Sequence, residues 1–269
     1  MAVIGFLLAA LIGIALGLLG GGGSILTVPV LVYVLGFPAK QGIAMGLAVV
    51  GLASVVGAFG HWRRGNVRLQ AALAFGGVAM LGTLAGTRLA TLLSGPTQLV
   101  IFAFVMLAAA WFMYRNASRS EPTAAAPVNQ PRLWIVAAAA IGVGVLTGVA
   151  GVGGGFLIVP ALVLFVGLPM REAVGTSLVV IAINSFVGFA GYLGAVQIPW
   201  GWLGAFSAVA MAGIVIGTRV SALIEQRALK RGFSVFLLVM ALFILAKNAG
   251  TYTSPVTQTA DVHTSVSGK

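Results

Sequence analysis

The chain is an internal duplication whose two halves carry the same glycine-rich break at a constant spacing of 131 residues. The first break covers residues 17–29 and the second covers residues 148–160, and each ends in Val-Pro. The same spacing pairs the Gly-Thr-Arg run at 86–88 with that at 217–219, so the matches extend beyond the common residue glycine. Duplicated halves with interrupted apolar helices are typical of membrane transporters.

The composition excludes an ordinary soluble domain, because 60% of the residues are hydrophobic and only 7% are charged. Apolar stretches of roughly 20 residues, long enough to cross a bilayer, recur along the chain. They cover 3–19, 41–60, 69–92, 98–114, 133–149, 172–191, 200–223 and 232–248. Two shorter stretches, 24–35 and 156–167, follow the breaks. We therefore predict an all-α polytopic membrane protein, in which each half has a glycine-broken helix pair and three transmembrane helices.

Polar segments divide the chain into its predicted domains. The first transmembrane repeat is 1–114, a cytoplasmic linker follows at 115–132, and the second repeat is 133–250. The linker holds three prolines and is expected to be flexible. The tail, 251–269, is rich in Thr and Ser and is expected to be disordered.

Basic residues change places between equivalent loops. The loop 61–68 holds three arginines and its counterpart 192–199 has no charge, whereas 94–98 has no charge and its counterpart 225–231 holds three basic residues. Basic loops stay in the cytoplasm, so this swap predicts that the halves are inverted in the membrane, with both termini outside. If each broken segment were one long helix, the halves would instead be parallel.

The breaks are the first candidate site. Glycine frees the backbone and lets a ligand approach, and a short helix after each break would direct its unpaired N–H groups toward an anion. The candidate substrate-binding residues are Gly20, Gly22, Gly23, Ser24, Gly151, Gly153, Gly154 and Gly155. The alternative is that these glycines only let helices pack closely.

A polar cluster in the second half extends this site. Thr176, Ser177, Asn184 and Ser185 lie in one apolar stretch, and the spacing of about two turns lets the serines share a helix face. Hydroxyl and amide groups can hydrogen-bond an oxyanion without burying a counter-charge. The alternative is hydrogen bonding between helices or to the helix itself.

Arg88 and Arg219 occupy equivalent positions in apolar helices. An intramembrane arginine is a candidate for anion binding. Each lies close to its helix end, however, so a structural role in which the side chain reaches the membrane surface is the alternative. The preceding Gly-x-x-x-Gly pairs, 82/86 and 213/217, predict tight helix crossings.

Several classes of chemistry are excluded by the residues the chain lacks. There is no cysteine, and the four carboxylate residues fall in predicted loops or at helix ends, so a proton relay of buried carboxylates is not expected. His61 and His263 are also expected at the periphery. No catalytic constellation, metal-ligand cluster or nucleotide-phosphate motif is present, so we expect no enzyme activity, no metal and no cofactor.

Taken together, the motifs resemble the sulfite exporter TauE/SafE family, also called the toluene sulfonate uptake permease family. The twin breaks ending in Val-Pro, the Gly-Phe-Pro at 36–38, the Gly-Leu-Pro at 167–169 and the Gly-Thr-Ser at 175–177 carry the resemblance over residues 3–248. It implies a multi-pass bacterial inner-membrane carrier of sulfite, sulfoacetate, sulfonates or related anions. The first half has Ala-Met-Gly at 44–46 in place of Gly-Thr-Ser, so the site is expected mainly in the second half.

The sequence thus predicts a secondary transporter of a small anion, working by alternating access. An uncoupled channel-like facilitator and a non-transporting assembly factor are the alternatives. The expected partners are the anionic substrate and the lipid bilayer. The net charge of +11 is attributed to cytoplasmic loops, so no nucleic acid is expected. A homodimer, the direction of transport and the coupling ion are left open.

Overall fold

The computed structural model describes residues 2–90, 92, 95–117, 133–150, 155–194 and 196–252, and the regular structure in these ranges is helical throughout. The fold is all-α, as predicted. The first half contains α1 (Ala2–Leu19), α2 (Gly22–Pro29), α3 (Ala39–Trp62), α4 (Leu69–Ala90) and α5 (Gly95–Ala117). The second half contains α6 (Leu133–Ala150), α7 (Gly155–Ala161), α8 (Met170–Ala190), α9 (Trp200–Leu223) and α10 (Gln226–Tyr252).

The helix boundaries repeat with the spacing of the sequence. Three helices of the first half begin 131 residues before their counterparts, α3 at Ala39 against α8 at Met170, α4 at Leu69 against α9 at Trp200, and α5 at Gly95 against α10 at Gln226. Equivalent positions are also buried alike, since Phe75 and Phe206 are both fully buried. The linker beyond residue 117 and the tail beyond residue 252 lie outside the described residues, so the division into domains stays a prediction.

Five helices in the described part of the chain are long and apolar enough to cross a membrane: α3, α4, α8, α9 and α10. In α5 the described apolar stretch is shorter, Ala103–Arg115. Large apolar side chains such as Leu7, Leu84 and Phe243 are exposed on the bundle, as expected where lipid replaces water. Trp62, Trp134 and Trp200 are exposed at helix ends, where aromatic residues favour the membrane interface.

Each broken helix pair folds back on itself. In the first half, a Cβ added to Gly23 of α2 would stand 2.5 Å from the carbonyl oxygen of Ile12 in α1. Leu35 reaches the start of α1, where its Cδ2 lies 2.7 Å from the position of a Cβ on Gly5. In the second half, α6 likewise contacts α7 and the turn that follows it. The first half therefore does not form the continuous helix through the break that parallel halves would require.

The part of each hairpin that follows the break is called its returning arm here. A π-helical turn follows the proline of each returning arm, Val30–Val34 after Pro29 and Leu162–Val166 after Pro160. Proline has no N–H to donate and its ring crowds the preceding turn, so each helix loses one bond of its regular ladder here. The backbone N–H of Leu35 bonds to the carbonyl of Val30 at 3.0 Å, five residues back. The two arms share this irregularity because they share the proline.

Close helix crossings repeat between the halves. Helix α1 packs on α9, and its counterpart α6 packs on α4. A Cβ on Gly13 would collide with the carbonyl of Ala210, and one on Gly144 would collide with the carbonyl of Ala79. The glycines at 82, 86, 213 and 217 also meet backbone across these crossings, so the predicted tight crossings are confirmed.

Equivalent helices α3 and α8 pack against each other in opposite directions. Going along α3, Gly51 lies beside Ser185, whereas Gly57 lies beside Leu178 of α8. The two helices are thus antiparallel, so a rotation that superposes one half on the other must turn the helix direction around. Inverted halves require this relation, while the side of the membrane to which each loop belongs stays a prediction.

Candidate functional site

The first break requires glycine at its turning point. Gly20 has φ +68°, a left-handed conformation, and its amide bonds back to the carbonyl of Leu16 at 2.8 Å. A Cβ there would stand 2.7 Å from Ser177 Oγ and 2.9 Å from Val159. Both the backbone conformation and the space around it therefore favour glycine.

The tips of the two hairpins, taken as Gly20 and Gly21 in the first and as Gly155, the first described residue after the break, in the second, meet inside the bundle. A Cβ added to Gly155, the first residue of α7, would stand 3.4 Å from the Cα of Gly21, and both glycines are buried. Helix α8 passes both tips, because Ser177 lies against Gly20 and the side chain of Ile181 lies 2.7 Å from the same Cβ position on Gly155. The two tips thus form one shared region.

The candidate glycines have different environments. Gly23 is wedged against Ile12 and Leu16, and a Cβ on Gly22 would lie 3.2 Å from Phe236, so these two serve close packing. At Gly20 the need for glycine comes instead from the left-handed backbone conformation. The remaining candidates Gly151, Gly153 and Gly154 lie outside the described residues.

The hydroxyls nearest the breaks donate to their own helices. Ser24 Oγ donates to the carbonyl of Gly21 at 2.6 Å, and Ser177 Oγ donates to that of Val174 at 2.8 Å. Both residues are buried. An anion could receive a hydrogen bond from either hydroxyl only if its proton turned away from the carbonyl, because a hydroxyl has a single proton.

Thr176 is engaged elsewhere. Its Oγ1 accepts a hydrogen bond of 3.0 Å from the backbone N–H of Arg68, just before α4 begins, and the residue is fully buried. The hydroxyl therefore joins α8 to the connection between α3 and α4. Thr176 and Ser177 are adjacent in sequence, yet Ser177 lies against the first break, at Gly20.

Two polar groups near the crossing of α3 and α8 have no hydrogen-bond partner. They are Asn184 Oδ1 and Ser54 Oγ, both buried atoms. Ser185, next to Asn184 and equivalent to Ser54, is also buried and packs beside Gly51. Unpartnered buried groups cost free energy unless they serve a ligand or water.

Sequence reasoning did not single out Ser54 as a site residue, although its match with Ser185 was visible. Ser207 in α9 was also missed, and its buried Oγ is again without a partner. A lone serine in an apolar helix gives no sequence signal that its hydroxyl is unpaired, because that depends on its neighbours in space.

Arg88 and Arg219 are both exposed, in the last turn of α4 and near the end of α9. Neither guanidinium is therefore enclosed in the core. This placement agrees with a structural role near the membrane surface, and the anion-binding role stays untested.

The prediction that His61 is peripheral is wrong. His61 is only 1% exposed, and its Nε2 lies 3.4 Å from the carbonyl oxygen of Gly17. The last turn of α3 comes close to α8 because Gly175 has no side chain there, since a Cβ on Gly175 would stand 2.8 Å from the Cβ of His61. The imidazole is enclosed as a result.

The described groups at the hairpin tips are backbone, the hydroxyls of Ser24 and Ser177, and apolar side chains such as Ile181. Within the described ranges the acidic side chains are Glu172, in the first turn of α8, and Glu225, just before α10. The described residues contain no group of three His, Cys, Asp or Glu side chains that could hold a metal ion.

Comparison with known proteins gives a consistent result. The family model described as "Sulfite exporter TauE/SafE" matches residues 5–244. A "Probable membrane transporter protein" of Xylella fastidiosa (strain 9a5c) is 31% identical over 87% of this chain and 91% of its own length. "Probable membrane transporter protein YdhB" of Bacillus subtilis (strain 168) is 27% identical over 87% of this chain and 96% of its own. No solved structure matches the chain.

Proposed function

The chain belongs to the sulfite exporter TauE/SafE family, and we propose that it is a secondary transporter that carries a small sulfur-containing or organic anion by alternating access. Membrane transport, rather than an enzyme activity, is the established part of this statement, since the matching family is one of exporters and the relatives are named as probable membrane transporter proteins. The proposal adds the cargo, of sulfite, sulfoacetate or sulfonate type, and the mechanism.

The observation that carries the proposal is the meeting of the two hairpin tips. Breaks from equivalent halves that meet inside a helix bundle are the arrangement in which transporters hold substrate, because non-helical backbone at membrane depth is tolerated where it lines a protein cavity. Gly20 and Gly155 come from different halves and both lie against α8. Relative movement of the halves would expose this shared region first to one side and then to the other.

The chemistry of the region supports an anionic cargo. We propose that Ser24, Ser177, Asn184 and Ser185 line the path together with the glycine backbone of both tips. The hydroxyls of Ser24 and Ser177 would exchange their bonds to helix carbonyls for bonds to the cargo. A sulfite or sulfonate oxygen accepts such bonds without needing a buried cation, and the dipole of a following helix favours its charge.

We place the protein in the inner membrane of a bacterium. The direction of transport and the coupling ion follow from neither the fold nor the named relatives. Whether two copies pair as a homodimer is left open as well.

The test is flux in proteoliposomes that contain the purified protein. Radiolabelled sulfite, a sulfonate and a carboxylate of similar size should be compared under imposed proton and sodium gradients. We expect saturable uptake of a sulfur-containing anion that one gradient drives uphill. Uptake that only equilibrates would favour the uncoupled facilitator, and no uptake of any anion would contradict the proposal.

A matched pair of variants locates the cargo. Asn184→Leu removes the amide beside the proposed path and should lower uptake about tenfold while leaving the folded yield unchanged. Its neighbour Ile183 is 39% exposed, and Ile183→Leu should leave uptake as it is. Equal uptake by both variants would place the cargo elsewhere.

A further inference from the structure

Residues 61–68, which connect α3 to α4 and are called the latch here, tie three other helices together at one end of the bundle. Arg64 Nη1 donates to the carbonyl of Thr218 in α9 at 2.7 Å. His61 Nε2 lies 3.4 Å from the carbonyl of Gly17 in α1. The third connection, made by Arg68, leads to α8, the helix that passes both hairpin tips.

Arg68 forms hydrogen bonds to α8 with both its side chain and its backbone. Its Nε donates to Glu172 Oε2 at 2.8 Å and its Nη2 donates to Oε1 at 3.1 Å, a bidentate pair. Its backbone N–H donates to Thr176 Oγ1 at 3.0 Å. The Glu172 side chain is 18% exposed and that of Arg68 is 62% exposed, so the pair lies where water could separate it.

The opposite end of the bundle uses different chemistry at equivalent positions. Gln41 stands in the first half where Glu172 stands in the second, and residues 192–199 correspond to the latch. There Gln41 Nε2 donates to the carbonyl of Gln197 at 2.6 Å. The position equivalent to Arg68 is Pro199, which offers neither a charge nor an N–H. A neutral side-chain bond thus replaces a bidentate ion pair.

We propose that the latch is the inner gate of the transporter, and that the Arg68–Glu172 pair holds the cytoplasmic end closed while the opposite end opens more readily. This inference rests on the proposed alternating access. It follows from the direct connection between latch and path, since Thr176 holds the latch and the adjacent Ser177 contacts Gly20 at the hairpin tip. Opening the inner end must release Arg68 from α8.

The size of the effect should be modest. An exposed ion pair contributes little on its own, so losing it should shift the balance between closed and open inner ends by about fivefold. Such a shift is measurable as a change in the rate at which a cysteine on the path is labelled. It also suits a gate, which has to open repeatedly during transport.

A single cysteine can report on the gate, because the chain contains none. Ser24→Cys is nearly isosteric and places a thiol at the first hairpin tip, where Ser24 is 6% exposed. In inside-out vesicles a membrane-impermeant maleimide should label this thiol slowly, because a closed inner gate would keep the buried hairpin tip from the cytoplasmic side. Fast labelling with an intact latch would overturn the proposal.

A double-mutant cycle then tests the pair itself in the Ser24→Cys background. Arg68→Gln and Glu172→Gln should each raise the labelling rate from the cytoplasmic side about fivefold, and the double variant should raise it no further. Rates that multiply to about 25-fold would mean that the two residues act independently, which would contradict the pair as the gate. Unchanged rates in both single variants would contradict it as well.

Two further measurements separate a gate from a general loss of structure. Gln41→Leu, at the opposite end, should leave cytoplasmic labelling unchanged or slower and should raise labelling in right-side-out vesicles. If it instead speeds cytoplasmic labelling, the effect of the latch variants is loosening of the fold. Without any latch substitution, raising the salt concentration should weaken the exposed pair and speed cytoplasmic labelling. A rate that does not respond to salt would also count against the ion pair.

These outcomes are independent of the cargo. Labelling reports the gate without flux, so the expected labelling with no anion uptake would keep the gate and reject the proposed cargo. Anion uptake combined with a labelling rate that does not respond to the latch substitutions would keep the proposed cargo and reject the gate.

Discussion

The two halves of the molecule share their packing but differ in their polar chemistry. Gly13 and Gly144 meet the carbonyls of Ala210 and Ala79 in matching crossings, so the contacts between helix backbones follow the duplication. Several polar residues of α8 do not follow it, since Ser177 corresponds to Gly46, Asn184 to Ala53 and Glu172 to Gln41. Where helix backbones touch, no larger residue than glycine fits, so these positions are the same in both halves. The polar residues along the path and at its two ends are not constrained in this way, and several of them differ between the halves. This is why we place the cargo chemistry mainly in the second half.

The largest effect should come from breaking the shared packing. Gly13→Leu and Gly144→Leu each drive a side chain into a backbone carbonyl, which should cost at least about 3 kcal/mol and remove most folded protein. The measure is the monodisperse yield after detergent extraction, which should fall alike for both variants. Gly142→Leu is the control, because nothing lies within 4 Å of that Cβ position. Its counterpart in the first half is already a leucine, Leu11. Normal yield of Gly13→Leu or Gly144→Leu would contradict the packing.

A smaller effect is expected at the first hairpin tip. Gly20→Ala forces an alanine into left-handed backbone and toward Ser177, which should cost about 1–2 kcal/mol. Adding Ser177→Gly, the residue that the first half has at this position, removes the nearest atom and should restore part of the lost thermal stability. Transport should stay low in the double variant, because the hydroxyl is gone. A double variant with full transport would show that Ser177 does not serve the cargo.

The smallest effect on stability should come from Ser54→Ala. Because Ser54 Oγ is buried without a partner, its removal breaks no hydrogen bond and should change the unfolding temperature little or raise it slightly. Ser24→Ala is the comparison, since it deletes a bond of 2.6 Å to Gly21 and should destabilise by about 1 kcal/mol. The same change in both variants would mean that Ser54 has a partner in the membrane-embedded protein.

The helices were predictable because apolar segments longer than a bilayer is thick leave the backbone little choice but helix. The predicted segment 200–223 coincides with α9, and the pieces after the breaks coincide with the returning arms. The glycine pairs at 82/86 and 213/217 predicted close crossings because small residues are what such crossings need.

The details of the site were less predictable, because they depend on neighbours that are distant in sequence. Thr176 and Ser177 look alike in the sequence, yet one hydroxyl binds Arg68 and the other lies against Gly20. His61 comes just before two arginines in the sequence, which gave no sign that the fold would enclose it at the end of α3. Gly23 was grouped with Gly20, although its packing against α1 is a property of the hairpin.

The central claim is that two structurally equivalent halves lie inverted in the membrane, with their hairpin tips meeting between them. Single cysteines at Arg64 and Gln197, in equivalent loops, test this most directly, with Arg227→Cys as a third site; all three residues are exposed. An impermeant maleimide should label the cysteines at 64 and 227 only from the cytoplasmic side, and the cysteine at 197 only from the outside. Labelling of the cysteines at 64 and 197 from the same face would contradict the inverted arrangement.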